Sequence, residues 1–84
     1  MTTATRIPPR PLYEIAREIT QDWKKVNYAA VPYLDAMREL GPITDSYGLD
    51  DASSIVLYFV SNAGAWRGET ARRVKAELRG MVAV

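Results

Sequence analysis

Six consecutive apolar residues, Ile55-Val56-Leu57-Tyr58-Phe59-Val60, sit past the midpoint of a chain of only 84 residues, and any fold must cover most of them. Period alone allows a buried strand or a turn and a half of buried helix, so length and flanks arbitrate. They favour helix. Asp50 or Asp51 supplies an N-cap oxygen, and a second acid there meets the positive end of the helix dipole. Ala52, Ile55, Val56, Phe59 and Ala63 recur at three- and four-residue spacing and span about 100° of arc on a helical wheel. Asn62 and Gly64 offer a C-terminal stop. Leu57 and Tyr58 fall outside that stripe, and only Ser54 and Ser61 mark a clearly polar back. This helix is therefore expected to be contacted on several sides, as the central one.

The rest of the chain must supply that cover. With 48% hydrophobic and 25% charged residues, it has the composition of one globular domain. A domain of this size buries only about 60–65% of its unfolded surface, so burial is thin and association with a second chain would help it. Neither cysteine nor histidine occurs, which removes disulfides and the usual zinc, haem and iron–sulfur ligand sets. No metal or other cofactor is expected. Six apolar residues fall far short of the roughly 20 that span a bilayer, and MTTATRIPPRP has no apolar signal core. The expectation is a cytoplasmic protein with no membrane partner.

In chain order, residues 1–10 read as a flexible, proline-containing arm. Ile7-Pro8-Pro9-Arg10-Pro11 favours extended chain, and its PxxP spacing reads either as a ligand for a proline-binding module or as a stiff lead-in with Pro11 in the first helical turn. The lead-in is the simpler reading. A first helix is expected over 11–25, with Leu12, Ile15, Ala16, Ile19, Trp23 and Val26 on one face, and with Glu14/Arg17 and Asp22/Lys25 at pairing distance on the other. Asn27 can cap a second helix over 28–40, on which Ala30, Tyr33, Leu34, Met37 and Leu40 share a side. Pro32 then either kinks that helix or delays its start to near Ala30. Gly41-Pro42 ends it, and Ile43 and Tyr47 are expected to pin the following linker to the core. The third helix covers 51–63.

A last helix is expected over 68–82, with Ala71, Val74, Leu78, Met81 and Val82 as its apolar stripe. Extending it back to Arg67 would place that arginine on the apolar face, so regular helix should begin only after Gly68, leaving Trp66 as a loop anchor. Its polar side divides into two strips. Glu69, Arg73 and Glu77 are spaced i, i+4, i+8 as a self-compensating ladder. Arg72, Lys75 and Arg79 form a second strip within about 60° of arc, with no acid among them. That strip can meet phosphate, an acidic protein surface or water.

Charge is unevenly spread along the chain. Residues 1–34 carry a net +2, 35–51 a net −4 and 52–84 a net +3, for an overall +1. The acidic segment and the basic last helix can pair within one fold or between two molecules. A total so near zero argues against general nucleic-acid binding, which normally shows a strongly basic balance.

No residue set has the chemistry of an active site, so no catalytic residue is nominated and the chain is read as non-enzymatic. Asp45, Asp50 and Asp51 surround Gly48, but Tyr47 and Leu49 occupy positions where a calcium loop needs ligands. Ser53, Ser54 and Ser61 have no histidine to act as base and no GxSxG elbow. No phosphate-loop or Rossmann glycine pattern occurs, since Gly64 and Gly68 flank one turn only. A helix-turn-helix centred on Gly64 would put Val60 where a small residue is usual, and Thr70 and Arg73 where core residues are expected.

The segments WKKVNYAAVPYLDAM, Trp23 to Met37, and SNAGAWRGETARRVKAEL, Ser61 to Leu78, resemble those of small uncharacterised helical proteins of actinobacterial phages, notably mycobacteriophages. The resemblance covers under half the chain and transfers no functional residue. It implies a phage protein made in a bacterial cytoplasm, where very small helical proteins often bind and redirect a host protein.

Together these readings describe an all-α bundle of about four helices with the third at its centre. The expected role is a non-enzymatic interaction protein that binds a host protein, assembles with itself, or does both. The alternative is a small nucleic-acid-binding regulator using the basic last helix. Partner contacts are expected at Arg67, Arg72, Lys75 and Arg79, since unpaired arginines are favoured at interfaces. Self-association into a homo-oligomer is expected through Leu57 and Tyr58, with Tyr13 and Tyr28 as neighbours.

Overall fold

The computed structural model describes residues 10–82. Four helices form in these residues: α1 (Leu12–Asp22), α2 (Val31–Met37), α3 (Ala52–Ser61) and α4 (Glu69–Val82). A hairpin of two short strands, β1 (Ser46–Tyr47) and β2 (Asp50–Asp51), precedes α3. The expected arm lies outside the described residues except for Arg10.

Local signals account for the position of most helix ends. Asp51 caps α3, its carboxylate accepting from the Ser54 amide at 2.8 Å. That hydrogen bond to the charged form holds its pKa below the ordinary aspartate value. Pro11 stands at the N-cap of α1 in extended conformation, just ahead of the first helical turn in which the lead-in reading placed it. Pro32 falls in the first turn of α2, where its missing N–H costs nothing, so the helix starts late rather than kinking. Asn27 instead organises the turn ahead of α2. Its side chain accepts from the Ala29 amide and donates to the Asn62 carbonyl at the end of α3.

Expectations about helix extent and about the linker need correction: α2 ends at Met37 rather than near Leu40, the chain from Arg38 continuing as a turn. α1 stops at Asp22 rather than near Lys25, because Trp23 leaves helical geometry (φ −95°, ψ 93°) to turn its ring into the core. The linker after α2 is also not pinned as expected. Ile43 packs against the core, but Tyr47 sits exposed on the hairpin. Gly48 has φ 65° at the first loop position and Leu49 a negative φ at the second, the pattern of a type II′ hairpin turn. The fold is thus mostly helical, with a small antiparallel element that an all-α reading omits.

The helices close on one another in sequence. α2 packs on α3, α3 on α4, and α1 on both α2 and α4. α3 contacts α2, α4 and, at its start, β2, yet it keeps one side open. Its inner stripe of Ala52, Ile55, Val56 and Phe59 is buried, while Leu57 and Tyr58 remain 49% and 51% exposed. The core joins this stripe to Leu12, Ile15, Ala16 and Ile19 of α1, Leu34 and Met37 of α2, and Ala71, Val74 and Leu78 of α4.

Charged groups clamp α1 to α4. Arg10 donates to both carboxylate oxygens of Glu77 at 3.0 and 2.8 Å, and this pairing raises its pKa further. Arg73 donates to Glu18, whose other oxygen makes an ion-pair contact with Arg10 at 2.8 Å without hydrogen-bond alignment. The expected ladder of Glu69, Arg73 and Glu77 along α4 is therefore replaced, because partners on other elements lie closer in partly buried surroundings. The Glu14/Arg17 and Asp22/Lys25 pairs are likewise absent among the described ion pairs.

Burial works to raise the Glu18 pKa, but the hydrogen bond from Arg73, the close approach of Arg10 and the charges of both outweigh it and bring the value below the ordinary 4.5. A carboxylate depressed in the folded state stabilises the fold above its unfolded pKa, and loses that contribution as pH falls through the folded value. Glu18→Gln is therefore expected to lower the melting temperature at pH 7. The gap to the parent protein should close as both are melted at pH values descending below about 4. A gap independent of pH would exclude the charge of Glu18 as its cause.

Candidate functional site

Gly68 adopts φ 112°, a conformation open mainly to glycine, and sets the boundary between the Trp66–Arg67 turn and α4. Regular helix accordingly begins at Glu69, as the position of Arg67 on the wheel requires. The consequence is that Arg67, from the turn, joins Arg72, Lys75 and Arg79, from one face of α4. All four line one surface cleft of about 360 Å³, together with Gly64, Trp66, Gly68 and Ala71. The three cations that helical spacing groups and the one expected from the turn are thus brought together.

An aromatic stack supports the cleft. Trp66 lies against Trp23 with ring centroids 5.8 Å apart and planes 10° from parallel, and Trp23 meets Phe59 edge-on at 6.2 Å. The indole N–H of Trp66 donates to Asp22 at 2.8 Å, which ties the α3–α4 turn to the end of α1. Lys75 lies over the outer side: its Nζ is 5.9 Å from the Trp66 ring centroid and donates to the Trp66 carbonyl at 2.7 Å. A cation over an indole face is attracted by the ring quadrupole. Trp66 was legible as an anchor, but its role beneath Lys75 was not, since nine residues separate them in sequence.

The electrostatics are one-sided. Among the described ion pairs none involves Arg67, Arg72, Lys75 or Arg79. The nearest acid along α4, Glu77, is held by Arg10. Lys75 is pushed below its ordinary pKa, first by burial and then by the charges of Arg79 and Arg67. Like charges converge here with no carboxylate of the described residues paired to them, and an anionic partner relieves that repulsion.

The acidic segment does not supply the missing carboxylates. Asp35 pairs with Arg38, Asp45 accepts from the Gly41 amide, and Asp51 caps α3. No described ion pair joins residues 35–51 to the basic face of α4. Within one molecule the two patches stay separate.

The residues proposed for self-association are more scattered. Leu57 and Tyr58 lie on α3, and Tyr58 leans on Tyr33 of α2 at 5.4 Å. Tyr28 is 87% exposed in the turn before α2. Tyr13 borders a different depression, with Arg17, Thr20, Gln21 and Arg38, on α1, which is not a principal neighbour of α3. An apolar residue that periodicity does not single out is more exposed than any of these: Leu49, fully open at the hairpin tip.

Among the described residues no group of three potential ligand side chains is placed to hold a metal ion, and no helix is long and apolar enough to cross a membrane. No family model, curated protein or solved structure matches this chain.

Proposed function

We propose that this is a non-enzymatic interaction protein whose basic cleft receives an acidic protein surface. The observation that carries the reading is the convergence of Arg67, Arg72, Lys75 and Arg79 on one cleft, with no acidic partner among the described residues. In this reading the four helices are a rigid all-α scaffold and the hairpin an appendage to it. In this reading, guided by the resemblance to phage proteins, the protein acts in a bacterial host cytoplasm and its partner is a host protein. An overall charge of +1 favours a local acidic patch over the extended phosphate backbone of a nucleic acid.

The cleanest variant is Arg72→Glu with Arg79→Glu. Both arginines are exposed, so the melting temperature should stay near that of the parent protein. Lys75 is better left alone, because it packs on Trp66 and a carboxylate there would face the Trp66 carbonyl. Capture of a partner from nuclease-treated host lysate is expected to fall by about tenfold or more, chiefly through slower association. Unchanged capture by the double variant would overturn the assignment. Capture abolished by nuclease, with a steep salt dependence, would move the cleft to nucleic acid.

A further inference from the structure

We infer that the hairpin tip of one molecule docks into the basic cleft of a second copy of this chain, so that the protein assembles head to tail. The inference rests on the reading of the cleft as a protein-binding site and names one occupant for it. Leu49 is the most exposed large apolar residue among those described, projecting from the tip with no cover from its own chain. Exposed Asp50 adjoins it, and Asp45 and Asp51 are exposed at the base of the same hairpin, where their carboxylates accept from the Gly41 and Ser54 amides. The hairpin thus presents an apolar knob on an acidic stem.

The cleft is the complementary shape and charge. Ala71 and the methylene stems of Arg67, Arg72, Lys75 and Arg79 give it apolar walls, and its rim carries the four charges. Gly64 and Gly68 leave it open, since a Cβ on either would meet nothing within 4 Å. A cleft of about 360 Å³ accommodates a leucine side chain with its flanking backbone.

Position dictates a second molecule rather than self-docking. The hairpin runs directly into the first residue of α3, whereas Gly64 follows its last turn. Ten helical residues separate the two features by about 15 Å. Tip and cleft are different surfaces of one protomer, so the contact is heterologous. Each copy offers a free tip at one end and a free cleft at the other, and growth continues until a ring closes.

Two variants test this. One, Leu49→Asn with Asp50→Lys, removes the tip; the other, Arg72→Glu with Arg79→Glu, removes the cleft. Asp51 is kept because it caps α3. None of the four altered side chains is buried, so both variants should melt close to the parent protein. Light scattering at tens to hundreds of micromolar and low salt is expected to show the parent mass rising with concentration above 9.4 kDa, and each variant alone as a monomer. An equimolar mixture should form a one-to-one dimer and nothing larger, since only one tip and one cleft remain.

A parent protein that stays at 9.4 kDa would overturn the inference, as would a mixture that remains monomeric. The two readings fail separately. Host-protein capture that needs Arg72 and Arg79, without self-association, removes the second-copy interface and leaves the proposed function. Self-association that needs both surfaces, with host capture indifferent to those arginines, does the reverse.

Discussion

Phe59→Ala is expected to cost about 3–5 kcal/mol of folding free energy, enough to leave so small a domain partly unfolded at room temperature. Phe59 is completely buried where α3 meets the rest of the core, and its ring receives the edge of Trp23. Truncation removes the transfer free energy of the ring and leaves a cavity that helices held by several neighbours cannot close. Urea unfolding read by circular dichroism measures the loss directly. A cost below about 1 kcal/mol would mean that the inner face of α3 has been misassigned.

Trp66→Ala should be comparably damaging, at about 3–5 kcal/mol, and should also abolish binding at the cleft. The indole is buried, stacked on Trp23 and hydrogen-bonded to Asp22, so its loss frees the α3–α4 turn from the end of α1. Lys75 then has no ring beneath it, and Arg67 no fixed position relative to α4. Trp66→Phe separates the two effects. It keeps a ring against Trp23 but not the donor to Asp22, costing about 1 kcal/mol for the hydrogen bond beyond any loss of contact area. The cleft should survive in that variant, so partner capture is expected to persist. If Trp66→Ala retains full affinity at a temperature where it is folded, the indole does not organise the cation cluster.

The gap between these two tryptophan variants bears on how much of the site was legible beforehand. Arg72, Lys75 and Arg79 share a face because a helix repeats every 3.6 residues, which is a local rule requiring no knowledge of the fold. Arg67 joins them only through the turn at Gly68, and the requirement that it avoid the apolar stripe of α4 was readable in advance. The ladder of Glu69, Arg73 and Glu77 obeyed the same local rule and did not form. Arg10 and Glu18, distant in sequence from α4, offered closer partners in a less hydrated setting. Spacing indicates which charges can meet along one helix, but not whether another element competes for them.

The hairpin shows the same division. Gly48 can occupy the left-handed region and so permits a tight turn there. Nothing local decides whether Tyr47 and Leu49 then face the core or the solvent. That choice depends on how much apolar surface α2 and α3 have already buried against each other. Likewise α1 ends early because the Trp23 ring gains more by stacking on Trp66 and meeting Phe59 edge-on than by adding another helical turn.

The four helical stripes, the Asp51 cap, the start of α4 and the basic face were readable from the residues, because each follows from periodicity or from groups within a few residues. The open outer side of α3, the lack of ion pairs between the acidic segment and the basic face, and the presentation of Leu49 at a tip emerged with the packing. These outcomes turn on competition between surfaces far apart in the chain, which is settled when the helices pack and not before.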